Sequence, residues 1–399
     1  MRTFECYGFN FLAALLWIAF SFFWPHSVDA IEDSPDFDQM ALARVSSPPL
    51  GLPEVSVPAN NPLTANKVSL GRKLFFDRRL SHNKTMSCGM CHIPEQGFTN
   101  NEVATPVGVE GRSIRRNAPT SYNVGYMETM FHDARDGSLE TQIFGPLLAH
   151  AEMANPSIGF VLATIFSAPD YDGLFEAAFN EPVNVHNLGL ALASYQRTLL
   201  SANSSFDRWH YGGDDNAVSV EVKQGFELFI GKAGCAGCHL TQEKTALFTD
   251  QGLHNTGIGY RTDRDIRFGK EPVQVEIAPG MVIPLKRKAV NSVGLPRQRD
   301  LGRMEVTNDP DDLFLFKTPM LRNVALTAPY MHDGSLRTLE DVVRFYNQGG
   351  HANPGLDSLV HELNLSDNEV NALVAFLESL TGDNVAELEA DGRSTAIGN

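Results

Sequence analysis

The sequence predicts a mainly α-helical chain in two similar halves, and three observations carry that reading. Apolar residues at helical spacing mark segments in both halves. One C-x-x-C-H motif stands in each half, Cys88-Gly89-Met90-Cys91-His92 and Cys235-Ala236-Gly237-Cys238-His239. Short signatures also recur in the same order. Gly71-x-x-Leu74-Phe75 precedes the first motif and Gly225-x-x-Leu228-Phe229 the second. Pro119, Asn123, Val124, His132 and Asp133 match Pro319, Asn323, Val324, His332 and Asp333 at a constant offset of 200 residues, and a Gly-Ser-Leu follows each His-Asp. A shared order and register point to internal duplication.

The motif spacing has a chemical reason. Two thiols three residues apart can each add to one vinyl group of the same porphyrin, and the adjacent histidine then binds the iron as proximal ligand. A zinc site, a disulfide or a thioredoxin-like pair would not require histidine directly after both cysteine pairs. The predicted cofactors are therefore two covalently bound haem c groups, one on Cys88, Cys91 and His92, the other on Cys235, Cys238 and His239. The predicted fold is two cytochrome c-like haem domains, duplicated and facing each other.

Arg2 precedes an apolar run from Phe9 to Trp24, and Val28-Asp29-Ala30 offers a cleavage site, so residues 1–30 read as a signal peptide. Cys6 leaves with it and the haems consume the other four cysteines, so no disulfide is expected. Export implies a periplasmic protein with no membrane span in the mature chain. Residues 31–65 are rich in Pro, Ser and Asn and read as an extended leader. A helix is predicted from Ala65 to Asp77, with Leu70, Leu74 and Phe75 on one face. Further helices are predicted at 138–150, 156–167, 186–201 and 219–233. Residues 250–315 read as loops with a short hairpin. A helix from Thr338 to Asn347 follows. The clearest helix runs from Ser366 to Leu380: Ser366-x-x-Glu369 is a capping box and Gly382 a stop. Residues 386–399 read as a polar tail. The domain division is thus 66–205 and 206–385. A formal net charge of −16 argues against nucleic acid as a partner.

Beyond the haem motifs, several stretches are specific: Arg116-Asn117-Ala118-Pro119-Thr120, Phe131 to Gln142, Pro146 to Met153, Phe316 to Asp333 and Leu339 to Gly350. On these the chain resembles the bacterial diheme cytochrome c peroxidase / MauG family over about 66–382. The resemblance implies a peroxidase in which the first haem meets H2O2. A distal Gln and Glu of the family fall on Gln142 and Glu152. Heterolysis of peroxide needs a group that moves a proton from one oxygen to the other; a partly buried carboxylate can do this while an amide orients the peroxide. Conventional members close this haem with a histidine from the loop before Arg116. No histidine lies between His92 and His132, so the first haem is expected to be five-coordinate and reactive without prior reduction.

The family's axial position on the second haem falls on Tyr346, where conventional peroxidases carry methionine and MauG-type members tyrosine. Met304, Met320 and Met331 are the alternative ligands. Tyrosinate favours ferric and higher states, suited to sharing the oxidising equivalents of peroxide as a bis-Fe(IV)-like pair. The family also binds one Ca2+, which the resemblance assigns to Asn117, Thr327 and Pro329. Two departures stand out. His132 occupies the place of an inter-haem tryptophan, and Ala233 that of a surface tryptophan. The implied function is H2O2-driven oxidation of a partner protein. The alternatives are peroxide reduction with electrons from a small cytochrome or copper protein, and a non-enzymatic electron carrier or haem sensor.

Overall fold

The computed structural model describes residues 36–269, 271–278, 281–293 and 298–395; the predicted signal peptide, 1–30, lies outside them. In chain order the helices are α1 (Phe37–Ser46), α2 (Ala65–Phe76), α3 (Leu139–Gln142), α4 (Phe144–Leu148), α5 (Ile158–Phe166), α6 (Leu174–Phe179), α7 (Val185–Arg197), α8 (Ser205–His210), α9 (Val220–Ile230), α10 (Ile258–Phe268), α11 (Arg287–Val293), α12 (Met304–Thr307), α13 (Leu339–Asn347), α14 (Asp367–Glu378) and α15 (Val385–Arg393). Strands β1 (Leu253–His254) and β4 (Phe316–Lys317) pair antiparallel, as do β2 (Val273–Ala278) and β3 (Met281–Leu285).

Local chemistry accounts for the helix starts. The Thr64 hydroxyl accepts from Lys67 N at the head of α2. Reciprocal capping boxes open α7 (Asn184, Asn187), α13 (Thr338, Asp341) and α14 (Ser366, Glu369). Two helix pairs then build two cores. α2 packs on α7 around Val68, Leu74, Phe75, Leu188, Leu192 and Tyr195; α9 packs on α14 around Phe226, Phe229, Val370, Leu373 and Phe376. Each crossing turns on a glycine. A Cβ on Gly71 would sit 2.1 Å from the Ala191 carbonyl oxygen, and one on Gly225 2.0 Å from that of Ala372. The repeated Gly-x-x-Leu-Phe is thus the signature of a close helix crossing that precedes each cysteine motif.

The duplicated asparagines do matching work. Asn123 and Asn323 both adopt left-handed backbone, with φ of 57° and 60°. Asn123 bonds Leu199 O through its N–H, and its side chain bonds the Ser201 backbone; Asn323 bonds Leu380 O and accepts from Gly382 N. Each ties the loop after a haem motif to the end of its core helix, α7 or α14.

Several elements differ from the sequence reading. The leader 31–65 is not wholly extended: α1 buries Ala41 in the first core, and Asp38 pairs with Arg72 at 2.7 Å. The stretch 386–399 is not simply a polar tail. α15 buries Leu388 in that same first core, and Asp391 pairs with Arg72 at 2.6 Å. Asp391, fully buried, pairs with Arg72 and Arg44, while Arg393 stays exposed. The helix expected over 138–150 breaks into α3 and α4 because Pro146 lacks the N–H that would bond back across the break. Within 250–315 the hairpin is present, but α10, α11 and α12 are added helices, of which α10 is the longest. Its charged face hid its periodicity.

Candidate active site

Both C-x-x-C-H motifs fold as a 3₁₀ turn, Cys88–Met90 and Cys235–Gly237. This tight turn brings each cysteine pair to one edge of a cavity. None of the four thiols is in a disulfide, and burial raises the pKa of Cys88, Cys91 and Cys235 to about 12. The two histidines are oriented alike. His92 Nδ1 lies 3.1 Å from Phe98 O, and His239 Nδ1 lies 2.8 Å from Phe248 O. Donation from Nδ1 leaves Nε2 as the lone-pair atom, the tautomer a metal ligand needs. Burial lowers both imidazole pKa values, which keeps them neutral. Two thiols, one oriented imidazole and an adjoining cavity fit a covalent haem at each motif.

The first cavity, about 500 Å³, is lined by Cys88, Cys91 and His92, with Gln142, Glu152, Phe131, Arg116 and Arg135 among its other walls. Gln142 ends α3. Glu152 sits on the turn after α4, where Val109 N donates to Glu152 O at 2.9 Å. That approach requires Gly108, since a Cβ there would lie 2.0 Å from the Ala151 carbonyl oxygen. Burial raises the Glu152 pKa, opposed by the Arg135 guanidinium. Arg135 stacks 3.4 Å over the Phe131 ring and pairs with Asp133 at 2.9 Å. Val109 is buried and Glu110 is exposed and pairs with Arg112; neither is among the residues that line this cavity. Among the described residues lining this cavity, the histidines are His92 and His132.

The second cavity, about 330 Å³, is lined by Cys235, Cys238 and His239 together with Tyr346, Met320, Met331, His254 and His332. Tyr346 reaches it from α13, and burial near Cys235 and Cys238 raises its phenol pKa. Met304, on α12, is not among the lining residues. Asn117, Thr327 and Pro329 all border this cavity. The Asn117 amide nitrogen donates to Ala104 O at 3.0 Å, which leaves its oxygen as the candidate cation ligand. Beside Cys238 lies His254, with Nδ1 2.6 Å from Asp357 and Nε2 2.8 Å from Asp250. Contact with the Cys238 sulfur, then the two carboxylates, pushes its pKa up to about 10.

Asn117, Ala118, Pro119, Thr120, Phe131 and His132 line both cavities and form their common wall. The wall is held by a reciprocal exchange: Asn117 N donates to His332 O and Lys317 N to His132 O, each at 2.8 Å. These donors and acceptors are related by the same offset of 200 residues seen in the sequence. His132 Nε2 lies 2.9 Å from Asn117 O, and burial pushes its pKa down to about 4. On the far side, the His332 ring stacks on Phe316 at 3.6 Å. Arg116 pins the wall by pairing with Asp133 at 2.6 Å and with Asp300 at 2.7 Å. Ala233 is buried in the second cavity and presents no side chain to the surface.

Sequence reasoning missed Arg135, Asp300 and the Asp250–His254–Asp357 cluster. Arg135 stands three residues after His132 in a quoted stretch, a signal that could have been used. In the cluster Asp250 and His254 are only four residues apart, but Asp357 lies 103 residues from His254, and that distant partner left no signal.

A family model described as di-haem cytochrome c peroxidase matches residues 65–216. The chain is 35% identical over 359 residues to methylamine utilization protein MauG of Methylorubrum extorquens, covering 90% of this chain and 89% of that one. It is 36% identical to cytochrome-c peroxidase IdrP1 of Denitromonas iodatirespirans, covering 86% and 88%. It is 34% identical to cytochrome c551 peroxidase of Pseudomonas aeruginosa, covering 80% of each. Among solved structures, a MauG-like protein associated with microbial copper homeostasis superposes with a TM-score of 0.68 at 29% identity, over 85% of this chain and 96% of that one. The diheme peroxidase BthA of Burkholderia thailandensis shares the fold, with a TM-score of 0.65 at 23% identity over 88% and 99%.

Proposed function

The chain belongs to the di-haem cytochrome c peroxidase family of enzymes, and from that premise we propose that it is a periplasmic peroxidase that uses H2O2 to oxidise a partner protein. Residues 66–205 and 206–385 are the two duplicated haem domains, facing each other across the wall that contains His132. The reciprocal hydrogen bonds of Asn117 and Lys317 support that arrangement.

Cys88, Cys91 and His92 would hold the haem of the first cavity, which would supply the iron at which peroxide is reduced. Glu152 takes a proton from one peroxide oxygen and returns it to the other, for which its raised pKa suits it. Gln142 orients the peroxide from the same cavity. Reduction of H2O2 to two waters consumes two protons and two electrons, and the electrons come from the partner. Tyr346, buried on the second cavity beside Cys235 and Cys238, would bind the iron of the second haem; a buried phenol with a raised pKa ionises only against a cation, which that iron would supply. Asn117, Thr327 and Pro329, which border the second cavity, would hold Ca2+.

The observation that carries the reading is the first cavity: Gln142 and Glu152 line it while the loop at Val109 and Glu110 sends no ligand into it. EPR of the resting diferric holoprotein, repeated after one equivalent of H2O2, tests it. One high-spin and one low-spin signal, both lost with peroxide and without an organic radical of matching intensity, is the expected result. Two low-spin haems that react only after partial reduction would sink the proposal. That outcome would favour a conventional peroxidase fed by a small cytochrome or copper protein, with Met320 or Met331, both on the second cavity, as the ligand in place of Tyr346.

A further inference from the structure

The cluster beside Cys238 has the outline of a metal site. One ligand atom each from Cys238, Asp250 and His254 lie within 4.8 Å of one another. Thioether formation would use the Cys238 sulfur, so a thiolate ligand is not on offer there. What remains is an imidazole between two carboxylates against the edge of the second cavity.

The geometry decides the charges. Asp250 Oδ2 faces His254 Nε2, while its Oδ1 accepts from Gly252 N at 2.8 Å. Asp357 Oδ2 faces His254 Nδ1, while its Oδ1 accepts from Leu359 N at 2.9 Å. Each carboxylate therefore has both oxygens acting as acceptors, the ionised form. A neutral imidazole has one N–H and could serve only one of them; both nitrogens donate only in the imidazolium. The cluster is thus a fixed cation held between two fixed anions. The first motif lacks an equivalent: the charged group acting on Cys88 and Cys91 is the carboxylate of Glu152.

We propose that His254, held as an imidazolium against the Cys238 thioether by Asp250 and Asp357, is an electrostatic positioning residue that offsets those two carboxylates and so keeps the reduction potential of the second haem higher than they alone would set it. The proposal rests on the reading that the second cavity holds haem. A positive charge at the porphyrin edge disfavours the ferric state by Coulomb repulsion, so its loss stabilises that state. Removing the imidazolium would leave two carboxylates facing one another. With Tyr346 as axial ligand the second haem already leans to the ferric side, and His254 sets how far.

Spectroelectrochemical titration of the holoprotein reads this directly, with the two haems resolved by their spectra. His254→Asn keeps a side-chain donor at the Nδ1 position, towards Asp357, but carries no charge. The second-haem midpoint is expected to fall by at least a tenfold change in its reduction equilibrium, about 59 mV for one electron. The first-haem midpoint stays in place. Asp357→Asn removes a negative charge from the same cluster and is expected to move the second midpoint upward. It also tests the idea if H254N fails to retain haem. Midpoints unmoved in both variants, or an equal shift at both haems, would overturn the role of His254. Fewer than two haems per chain in the unaltered protein, by pyridine haemochrome, would instead overturn the reading on which the proposal rests.

Discussion

Burial raises the Glu152 pKa and Arg135 pulls it back, so two residues set the proton inventory of the first cavity. Glu152→Gln keeps the shape of the side chain and removes the titrating oxygen. Peroxide turnover is expected to fall about 100-fold or more, with unchanged haem spectra, in stopped-flow assays. Glu152 must be ionised to accept the first proton, so turnover should rise with pH through its raised pKa. Arg135→Gln removes the opposing positive charge and should move that acid limb to higher pH. A limb that stays in place in the pH–rate profile would remove Glu152 as its origin. If Tyr346 binds the second iron as proposed, Tyr346→Met exchanges a hard anionic ligand for a thioether and should raise the second-haem potential in a redox titration.

Among the elements, the two helix crossings and α15 carry most risk. Gly71→Ala or Gly225→Ala drives a methyl group into a backbone carbonyl and forces α2 off α7, or α9 off α14. A loss of about 1–3 kcal/mol is expected by denaturant titration. Deleting residues 385–399 uncovers the site of Leu388 and strips Arg72 of its buried partner Asp391. The expected cost is about 3–5 kcal/mol, read as a lowered melting temperature. The helices flanking each motif were legible because their apolar stripes and capping boxes are local. α10 and α15 were not, since their polar residues look solvated until the partners across the fold are known.

For the molecule as a whole, the wall between the cavities is also an acid-sensitive joint. Arg116 holds Asp300 and Asp133 below the usual carboxylate range. A depressed folded pKa contributes stability above the unfolded value, about 3.9, and that stability is lost as pH falls through the folded value. Acid unfolding should therefore set in below about pH 4. Arg116→Leu leaves two buried carboxylates without their shared cation and should cost about 3–5 kcal/mol near neutral pH, measured by chemical denaturation.

The sequence by itself determined what is covalent or periodic: the haem motifs, the repeat with its Gly-x-x-Leu-Phe signature, and the absence of a histidine between His92 and His132. These are written in adjacent residues, so spacing alone reveals them. Only the tertiary structure decided which side chains share a cavity: Arg135 with Glu152, Asp357 and Asp250 around His254, Asp300 with Arg116, Asp391 with Arg72. Apart from Asp250, four residues before His254, these pairings join residues well separated in the chain. Their energies depend on burial and on the partner's position, and neither has a signature in the local sequence.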